Sequence, residues 1–342
     1  MRLRERPSLE QLSDGVRAGD RAMLSRAITL AESLREDDIE LAQELIAELL
    51  PETGGSQRIG LSGVPGAGKS TMLETFGSWL VERGHKVAVL VIDPSSARTG
   101  GSILGDKTRM PKLSLIDQAY VRPSPSAGFL GGTGRRTREA LLLCEAAGYD
   151  VTIVESVGVG QSEAVLAHMV DVFCLLLVPG AGDDLQGIKR GIVELADLIV
   201  VNKADSGRER EAKRAAGDYR HALRLLPPAT PGWTTPVLTA SAREGTGIEE
   251  MWNAIGEHRL LLERDGLLEK RRREQMLWWL RSHVEEAAMT AFRRRPGVAE
   301  ALAEAERAVT AGETTVPLAA REVLIASGLL EADETALERA PG

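Results

Sequence analysis

The clearest chemistry in this sequence lies in a glycine-rich stretch that fits Gly-x-x-x-x-Gly-Lys-Ser/Thr. Its residues are Gly63, Val64, Pro65, Gly66, Ala67, Gly68, Lys69, Ser70 and Thr71. The glycines let successive backbone N–H groups surround an anion, and a helix that begins there turns its positive end toward the anion. Lys69 supplies a mobile positive charge, and the Ser70 hydroxyl is placed to ligate Mg²⁺. The stretch therefore predicts a phosphate-binding loop rather than a glycine-rich turn with an incidental lysine.

A second motif predicts which base is bound. Its residues are Asn202, Lys203, Ala204 and Asp205. The Asp205 carboxylate can accept hydrogen bonds from N1–H and the 2-amino group of guanine, whereas adenine would leave it unpaired at a cost of about 1–3 kcal/mol. The stem of Lys203 can lie along the base, and Ser241 and Ala242 can offer backbone N–H groups to the guanine carbonyl oxygen. Downstream of a phosphate loop, this combination indicates a guanine nucleotide rather than an ordinary polar loop.

Three carboxylates are candidate magnesium ligands, because hard cations prefer carboxylate oxygen. Asp93 and Asp106 would ligate the ion directly or through water; the alternatives are a turn-forming aspartate and a solvated loop charge. Glu155 replaces the aspartate of an Asp-x-x-Gly pattern whose carboxylate reaches Mg²⁺ through water in most GTPases of this plan. Arg109 is a candidate for a phosphate contact or for pairing with a nearby acid. We expect Lys69, Asp93 and Glu155 to carry the catalytic chemistry.

The glycine of the same pattern, Gly158, keeps an N–H available for the outermost phosphate. The next residue is Val159 rather than glutamine, and a valine side chain cannot orient an attacking water molecule. We therefore predict slow hydrolysis by the isolated protein unless a partner or another side chain positions the water. The candidate side chains are Asp93, Asp106, Glu155 and Gln161.

These motifs follow apolar runs that alternate with helical segments from residue 57 onward. The predicted strands cover residues 58–62, 86–92, 119–122, 150–154, 172–178, 197–202 and 236–240. The predicted helices cover residues 70–83, 135–147, 161–169, 184–195 and 207–225. Continuous Val/Ile/Leu runs indicate strands covered on both faces. The predicted fold class is α/β, a P-loop NTPase with a mostly parallel seven-stranded sheet, and ligands are expected beyond the carboxyl ends of the strands.

Helical segments flank the predicted sheet domain, residues 56–246. Residues 1–55 form an N-terminal helical segment, with Ser8 and Ser13-Asp14 as candidate helix caps. Residues 247–330 form a C-terminal helical arm with an apolar stripe, and residues 331–342 are expected to be a disordered tail. Such an arm suits self-association; the alternative is that its helices pack back on their own domain.

The composition excludes some partners. A formal net charge of −8 argues against nucleic acid, and the basic cluster Arg135, Arg136 and Arg138 is interpreted as a solvated face. No run approaches the roughly 18 apolar residues of a membrane span, and the N-terminus lacks the apolar core of a secretory signal. Cys144 and Cys174 lie inside apolar runs and are interpreted as buried reduced thiols. We therefore expect a cytoplasmic protein with no membrane partner.

Several longer segments resemble the MeaB/ArgK GTPases, which accompany methylmalonyl-CoA mutase and related adenosylcobalamin-dependent acyl-CoA mutases. The matching segments are residues 63–71, 93–96, 101–110, 155–163 and 180–189. The resemblance runs from about residue 10 to about residue 330, and these segments are far more specific than the phosphate loop alone. Ser156 stands where a threonine is common in relatives, but a small hydroxyl is retained.

The resemblance implies a cellular role, which the spacing of residues in the motifs could not show. Family members use GTP to gate delivery of the cobalamin cofactor to the mutase, protect the mutase, and help replace damaged cofactor. They are homodimers through a C-terminal arm, so a homodimer is expected here.

The resemblance also implies site roles, with GTP or GDP and Mg²⁺ as cofactors. The phosphates would be bound by residues 63–71, and guanine by Asn202, Lys203, Asp205, Ser241, Ala242 and Arg243. The magnesium positions would be Ser70, Asp93, Asp106 and Glu155. The switch positions would be Asp106, Lys107, Arg109, Gly158, Gln161, Asp183, Gln186 and Lys189. Glycines around the last three permit movement; the alternative is a plain strand-to-helix connection capped by Asp183-Asp184.

Three other functions stay open at this stage. One is an ATP-dependent kinase of a periplasmic amino-acid transport protein or a small molecule, against which Asp205 argues. Another is a nickel or zinc insertion chaperone, which needs clustered Cys and His ligands, whereas the two cysteines and five histidines here are scattered. The third is a scaffold that binds nucleotide without using it, against which Lys69, Ser70 and Glu155 argue.

Overall fold

A parallel seven-stranded sheet lies at the centre of the unit formed by Met1–Trp279. The computed structural model describes residues 6–93, 110–125, 130–156, 162–180 and 190–331. The strands are β1 (Gln57–Gly63), β2 (Val87–Asp93), β3 (Ala119–Pro125), β4 (Val151–Glu155), β5 (Val172–Leu177), β6 (Leu198–Val201) and β7 (Val237–Thr239). Their order is β3-β2-β4-β1-β5-β6-β7, and every neighbouring pair is parallel. All seven predicted strands are confirmed, and β1 lies in the middle, where ligands of such sheets bind.

Helices connect the strands and extend the chain at both ends. The N-terminal helices are α1 (Leu9–Arg17), α2 (Arg21–Ala31) and α3 (Glu36–Leu49). The helices between strands are α4 (Lys69–Val81), α5 (Leu130–Ala146), α6 (Ser162–Ala167), α7 (Arg190–Glu194) and α8 (Glu209–Leu223). The C-terminal helices are α9 (Ile248–Arg264), α10 (Leu267–Arg293), α11 (Val298–Ala311) and α12 (Val316–Ala326). Within the described ranges, none of these helices combines the length and the apolar character that crossing a membrane requires.

Both faces of the sheet are buried, as the continuous apolar runs of the sequence predict. Strand β2 shows how this follows from the period of two along a strand. Ala88, Leu90 and Ile92 belong to a core that includes residues of α1–α3 and α5, and the intervening valines belong to a second core with residues of α4 and α9. The sheet is therefore the middle of three layers.

The N-terminal segment forms three helices, and only one predicted cap is right. Ser8 caps α1 by accepting from the Gln11 N–H at 3.2 Å, in a reciprocal capping box. Ser13 lies inside α1, where its hydroxyl donates to Glu48 at 2.6 Å, so its prediction as a cap was wrong. The second helix is capped instead by Asp20, which accepts from the N–H groups of Ala22 and Met23.

The interpretation of the arginine cluster as a solvated face is also wrong. Arg136 is only 7% exposed. Helices α2 and α3 pack against α5, and Gln43 of α3 donates to Glu139 at 2.7 Å. Arg135, in turn, lies 3.5 Å from Glu139.

The chain divides into two units, Met1–Trp279 and Leu280–Gly342. In the second unit, α11 and α12 pack through a small core of Val298, Ala305, Ala319 and Val323. Arg295 donates to the Ser327 carbonyl at 2.6 Å and closes this helix pair. The sequence pattern predicts two helices after the turn at Arg295-Pro296-Gly297, at about residues 298–310 and 316–327, and α11 and α12 lie within one residue of these ranges.

Candidate nucleotide-binding site

The glycine-rich stretch connects the carboxyl end of β1 to the first turn of α4. Gly63, Gly66 and Gly68 have φ angles of 156°, 80° and 89°, which favour glycine. A Cβ on Gly63 would lie 2.2 Å from the carbonyl oxygen of Leu176 in β5, and one on Gly68 would lie 2.7 Å from Nδ2 of Asn202. These contacts explain why the loop requires glycine at both positions.

The ammonium group of Lys69 lies over the loop. Its Nζ donates to the carbonyl oxygen of Gly63 at 2.7 Å and lies 3.5 Å from that of Val64. Helix α4 begins at Lys69, and its first internal hydrogen bond runs from Met72 to Gly68 at 2.9 Å. The N–H groups of a first helical turn have no partner within the helix, so a positive charge and backbone donors meet at one point that suits an anion.

The 202–205 motif follows β6 and contacts the phosphate loop directly. Asn202 is buried, and its Nδ2 donates to the carbonyl oxygen of Ala67 at 2.8 Å. Its Oδ1 accepts from the backbone N–H of Ala242 at 2.9 Å. One side-chain amide therefore joins the three motifs predicted from the sequence.

Asp205 is held in place by the loop that follows β7. The Ser241 hydroxyl donates to Asp205 Oδ2 at 2.5 Å and accepts from the Glu244 N–H at 3.0 Å. This hydrogen bond, assisted by Ser206 and by the positive charges of Arg243 and Arg208, lowers the pKa of Asp205 below its usual value. The carboxylate is therefore ionised at neutral pH and can accept from the N1–H and 2-amino groups of guanine.

Backbone strain is concentrated in the loop that follows β6, which contains Asp205. Among the residues that the structure describes, the non-glycine residues with a positive φ are Lys203 at 60° and Ser206 at 54°. Each such residue costs about 1–2 kcal/mol, and such strain persists where surrounding contacts determine the backbone. Neither lysine nor serine favours a positive φ, so the sequence does not predict this conformation.

The sequence analysis predicted that backbone N–H groups of the loop after β7 donate to the guanine carbonyl oxygen, but in the structure they donate to other protein groups. The Ser241 N–H donates to the Thr246 carbonyl at 3.0 Å, and the Ala242 N–H donates to Asn202. A guanine carbonyl that takes a hydrogen bond from Ala242 must therefore share that N–H with Asn202. The sequence analysis also missed Thr75, whose hydroxyl donates to the Ala242 carbonyl at 2.6 Å.

Glu155 ends β4 beside the strand that leads into the phosphate loop. It is 5% exposed and is paired in register with Leu61 of β1. The next residue, Ser156, donates its hydroxyl to Ser62 of β1 at 2.8 Å. A buried carboxylate here and the Ser70 hydroxyl at the start of α4 are hard oxygen donors, which is the ligand chemistry that Mg²⁺ prefers.

The other predicted site residues lie wholly or partly outside the described residues. Asp93 ends β2, and its side chain lies outside the described residues. Also outside them are Asp106, Lys107, Arg109, Gly158, Gln161, Asp183, Gln186 and Lys189. Within the described ranges, no group of three or more His, Cys, Asp or Glu side chains is arranged to hold a metal ion.

The sequence matches a known protein family and is similar to several named proteins. The family model described as "Methylmalonyl Co-A mutase-associated GTPase MeaB" matches residues 24–296. GTPase ArgK of Escherichia coli is 50% identical over 274 residues, which cover 80% of this chain and 83% of that protein. The mitochondrial methylmalonic aciduria type A homolog of Mus musculus is 44% identical over 319 residues, which cover 90% of this chain and 77% of that protein.

A solved structure is similar over nearly the whole chain. The crystal structure of an LAO/AO transport system kinase superposes with a TM-score of 0.74 at 38% sequence identity. The similarity covers 92% of this chain and 96% of that one.

Proposed function

The chain belongs to the MeaB family of methylmalonyl Co-A mutase-associated GTPases, and we propose that it uses GTP to control loading of adenosylcobalamin onto such a mutase. The family match over residues 24–296 is the observation that carries the proposal. As a GTPase the protein converts GTP and water to GDP and phosphate. In the proposal, this reaction times the delivery of cofactor, protects the mutase, and helps replace damaged cofactor.

The nucleotide would lie along the carboxyl edge of the sheet, across β1, β5, β6 and β7. Residues 63–71 would bind the phosphates through backbone N–H groups, with Lys69 moving from the Gly63 carbonyl to the outer phosphates. Asn202, Lys203 and Asp205 would bind guanine, together with the loop of residues 241–243. The hydrogen bonds of Asn202 with Ala67 and Ala242 support this assignment, since they join the loops that we assign to the phosphates and to guanine.

Mg²⁺ would be held by oxygen ligands at the same edge. We assign Ser70 and Glu155 to this role, with Asp93 and Asp106 as further ligands. A bound Mg²⁺ would neutralise charge on the outer phosphates. The buried position of Glu155 at the end of β4 supports the assignment, because a buried carboxylate is stable next to a cation.

Hydrolysis by the protein alone would be slow. Val159 stands where a water-orienting glutamine would be needed, so we infer that contact with the mutase completes the site. The residues assigned as switches would report the bound nucleotide to the mutase. They are Asp106, Lys107, Arg109, Gly158, Gln161, Asp183, Gln186 and Lys189.

The protein would act as a homodimer in the cytoplasm. In the second unit, Leu280 and Val284 of α10 are 60% and 57% exposed, and residues four apart on a helix share one face. Exposed apolar side chains in such a row are typical of an association surface. Cys144 and Cys174 are buried free thiols, which suits a reducing compartment.

Loading of apo-mutase with adenosylcobalamin tests the proposal. The purified protein is mixed with apo-methylmalonyl-CoA mutase and adenosylcobalamin under GDP, GTP or a non-hydrolysable GTP analogue, and loading is followed by cobalamin absorbance. We expect loading to differ between GTP and its analogue. Asp205→Ala should abolish the difference, whereas Asp218→Ala, which removes an exposed carboxylate from α8, should not. Loading that is the same with every nucleotide, and without one, would refute the proposal.

A kinase is the second candidate, because the similar crystal structure carries the name of a transport system kinase. A kinase of this type would use ATP and transfer phosphate to an acceptor other than water. Calorimetry with GDP and ADP, combined with a phosphate-release assay, separates the two functions. Preference for ADP, or phosphate transfer to a protein acceptor, would favour the kinase.

A further inference from the structure

Thr75 links the phosphate-binding helix α4 to the loop after β7, residues 241–246, which we call the base-binding loop, although it belongs to neither motif. It lies on α4, and its hydroxyl donates to the carbonyl oxygen of Ala242 at 2.6 Å. We propose that Thr75 is a positioning residue for guanine recognition, which holds the base-binding loop in register with the phosphate loop. The inference rests on the guanine-binding role assigned above to Asp205 and to residues 241–243.

Ala242 is fixed at both of its backbone polar groups. Its N–H donates to Asn202, which in turn holds the Ala67 carbonyl of the phosphate loop, and its C=O accepts from Thr75. The neighbouring Ser241 makes its backbone hydrogen bonds within its own loop, at 3.0 Å and 2.8 Å. Thr75 and Asn202 thus tie the base-binding loop to the phosphate side of the site.

Loss of the Thr75 hydroxyl would act on Asp205 through two intermediate contacts. Ala242 is 3% exposed, so its carbonyl oxygen would be buried without its hydrogen bond, a state that proteins avoid by shifting the backbone. The residue before it, Ser241, orients the Asp205 carboxylate at 2.5 Å. A shift at Ala242 would therefore displace the carboxylate that selects guanine while leaving Lys69 and the glycines of the phosphate loop in place.

The test compares three nucleotides on four proteins. Thr75→Val keeps the shape and removes the hydroxyl, Thr75→Ser keeps the hydroxyl, and Ser78→Ala removes a hydroxyl from the same helix about one turn further on. Affinities for GDP, IDP and ADP are measured by calorimetry with the full-length protein. For Thr75→Val we expect about five- to tenfold weaker GDP binding and ADP binding changed by less than about twofold. IDP lacks the 2-amino group that Asp205 binds, so its loss should be smaller than that of GDP. Thr75→Ser and Ser78→Ala should behave as wild type.

Two results would overturn the inference. One is a Thr75→Val protein that binds GDP as wild type. The other is an equal loss for GDP and ADP, which would mean that Thr75 only supports the fold. Circular dichroism establishes folding before binding is measured, and Thr75→Ala replaces Thr75→Val if the valine protein does not fold. If GDP itself shows no preference over ADP in the wild-type protein, the guanine assignment fails first, and that outcome is distinct from either result above.

Discussion

Arg272 fastens α10 to the amino edge of the sheet, and replacing it with methionine should destabilise the protein strongly. Its guanidinium donates to both oxygens of Asp171, at 2.8 Å and 2.7 Å. It also donates to the carbonyl oxygens of Gly54 and Ser56, at 2.5 Å and 2.9 Å. Asp171 lies directly before β5, its side chain is 2% exposed, and its Oδ2 accepts from the Arg58 N–H at 3.0 Å.

The size of the effect follows from what methionine would leave behind. Removing one partner of a buried ion pair costs about 3–5 kcal/mol when the other charge stays buried and uncompensated. Asp171 would keep Arg259, whose Nη1 lies 3.6 Å from its Oδ2, so we expect a loss near the lower end of this range. Typical stabilities are about 5–15 kcal/mol, so Arg272→Met would remove a large share of the total. The double variant Asp171→Asn/Arg272→Met should recover part of the loss, since it also removes the carboxylate charge that Arg272→Met leaves behind.

The dependence on pH tests the same reasoning. Burial by itself raises the pKa of Asp171, but hydrogen bonds and charge from Arg272, with the charge of Arg58, lower it below its usual value. A lowered pKa contributes stability that is present above the unfolded value of about 3.9 and is lost as pH falls through the folded value. In Arg272→Met, the hydrogen bonds and charge of Arg272 no longer oppose the effect of burial, so the Asp171 pKa should rise and the penalty should shrink as pH falls from neutral.

Urea denaturation followed by circular dichroism, at neutral pH and near pH 5, measures these differences. The matched control is Arg273→Met, which removes an exposed arginine from the next position of α10. A loss below about 1 kcal/mol at neutral pH, within the range of ordinary surface pairs, would refute the reasoning. So would a loss that is equally large at the two pH values.

Three further predictions concern nucleotide binding and association. Gly63→Ala would place a Cβ 2.2 Å from the Leu176 carbonyl oxygen, so GDP binding measured by fluorescence titration should be lost; near-normal affinity would show that the backbone accommodates the change. Asp205→Asn replaces an acceptor with an amide that can donate to the 2-carbonyl of xanthine, so competition titration should show preference moving from GDP to XDP; an unchanged preference would contradict the role of Asp205. Leu280→Arg should give a monomer by light scattering, whereas Arg281→Ala should not; a dimeric Leu280→Arg protein would remove this face of α10 from the interface.

The sheet could be predicted because parallel strands covered on both faces leave continuous apolar runs in the sequence. Strand β1 begins one residue before and ends one residue after its predicted range of 58–62. Helix α4, predicted for residues 70–83, runs from Lys69 to Val81. The phosphate loop and the 202–205 motif could be identified because each is a short contiguous stretch, so the spacing of its residues can be read directly from the sequence.

Contacts between distant residues could not be predicted in this way. Arg272 and Asp171 are 101 positions apart, and Arg271 pairs in the same manner with Asp197, the residue before β6. The sequence pattern of 269–274 shows only a charged run, which by itself indicates solvent exposure. Tertiary packing alone decides that two of its arginines lie against the amino ends of two strands. Ser13 shows the same limit, because its hydroxyl donates to Glu48 on another helix, a contact that the local sequence pattern does not reveal.

The loop that follows β6, residues 202–206, shows why residues outside the motifs matter for function. Its strained positions, Lys203 and Ser206, cost about 1–2 kcal/mol each, and this cost is met when the protein folds. The loop after β7 is held on two sides: the Ala242 N–H donates to Asn202, and the Thr75 hydroxyl of α4 donates to the Ala242 carbonyl. Little conformational freedom is therefore left for the nucleotide to remove. A preorganised loop loses little conformational entropy when the nucleotide binds. More of the interaction energy can therefore distinguish guanine from adenine. In the proposed assignment, the motif residues would determine which base is preferred, and the strained backbone with its anchoring side chains would determine how strongly.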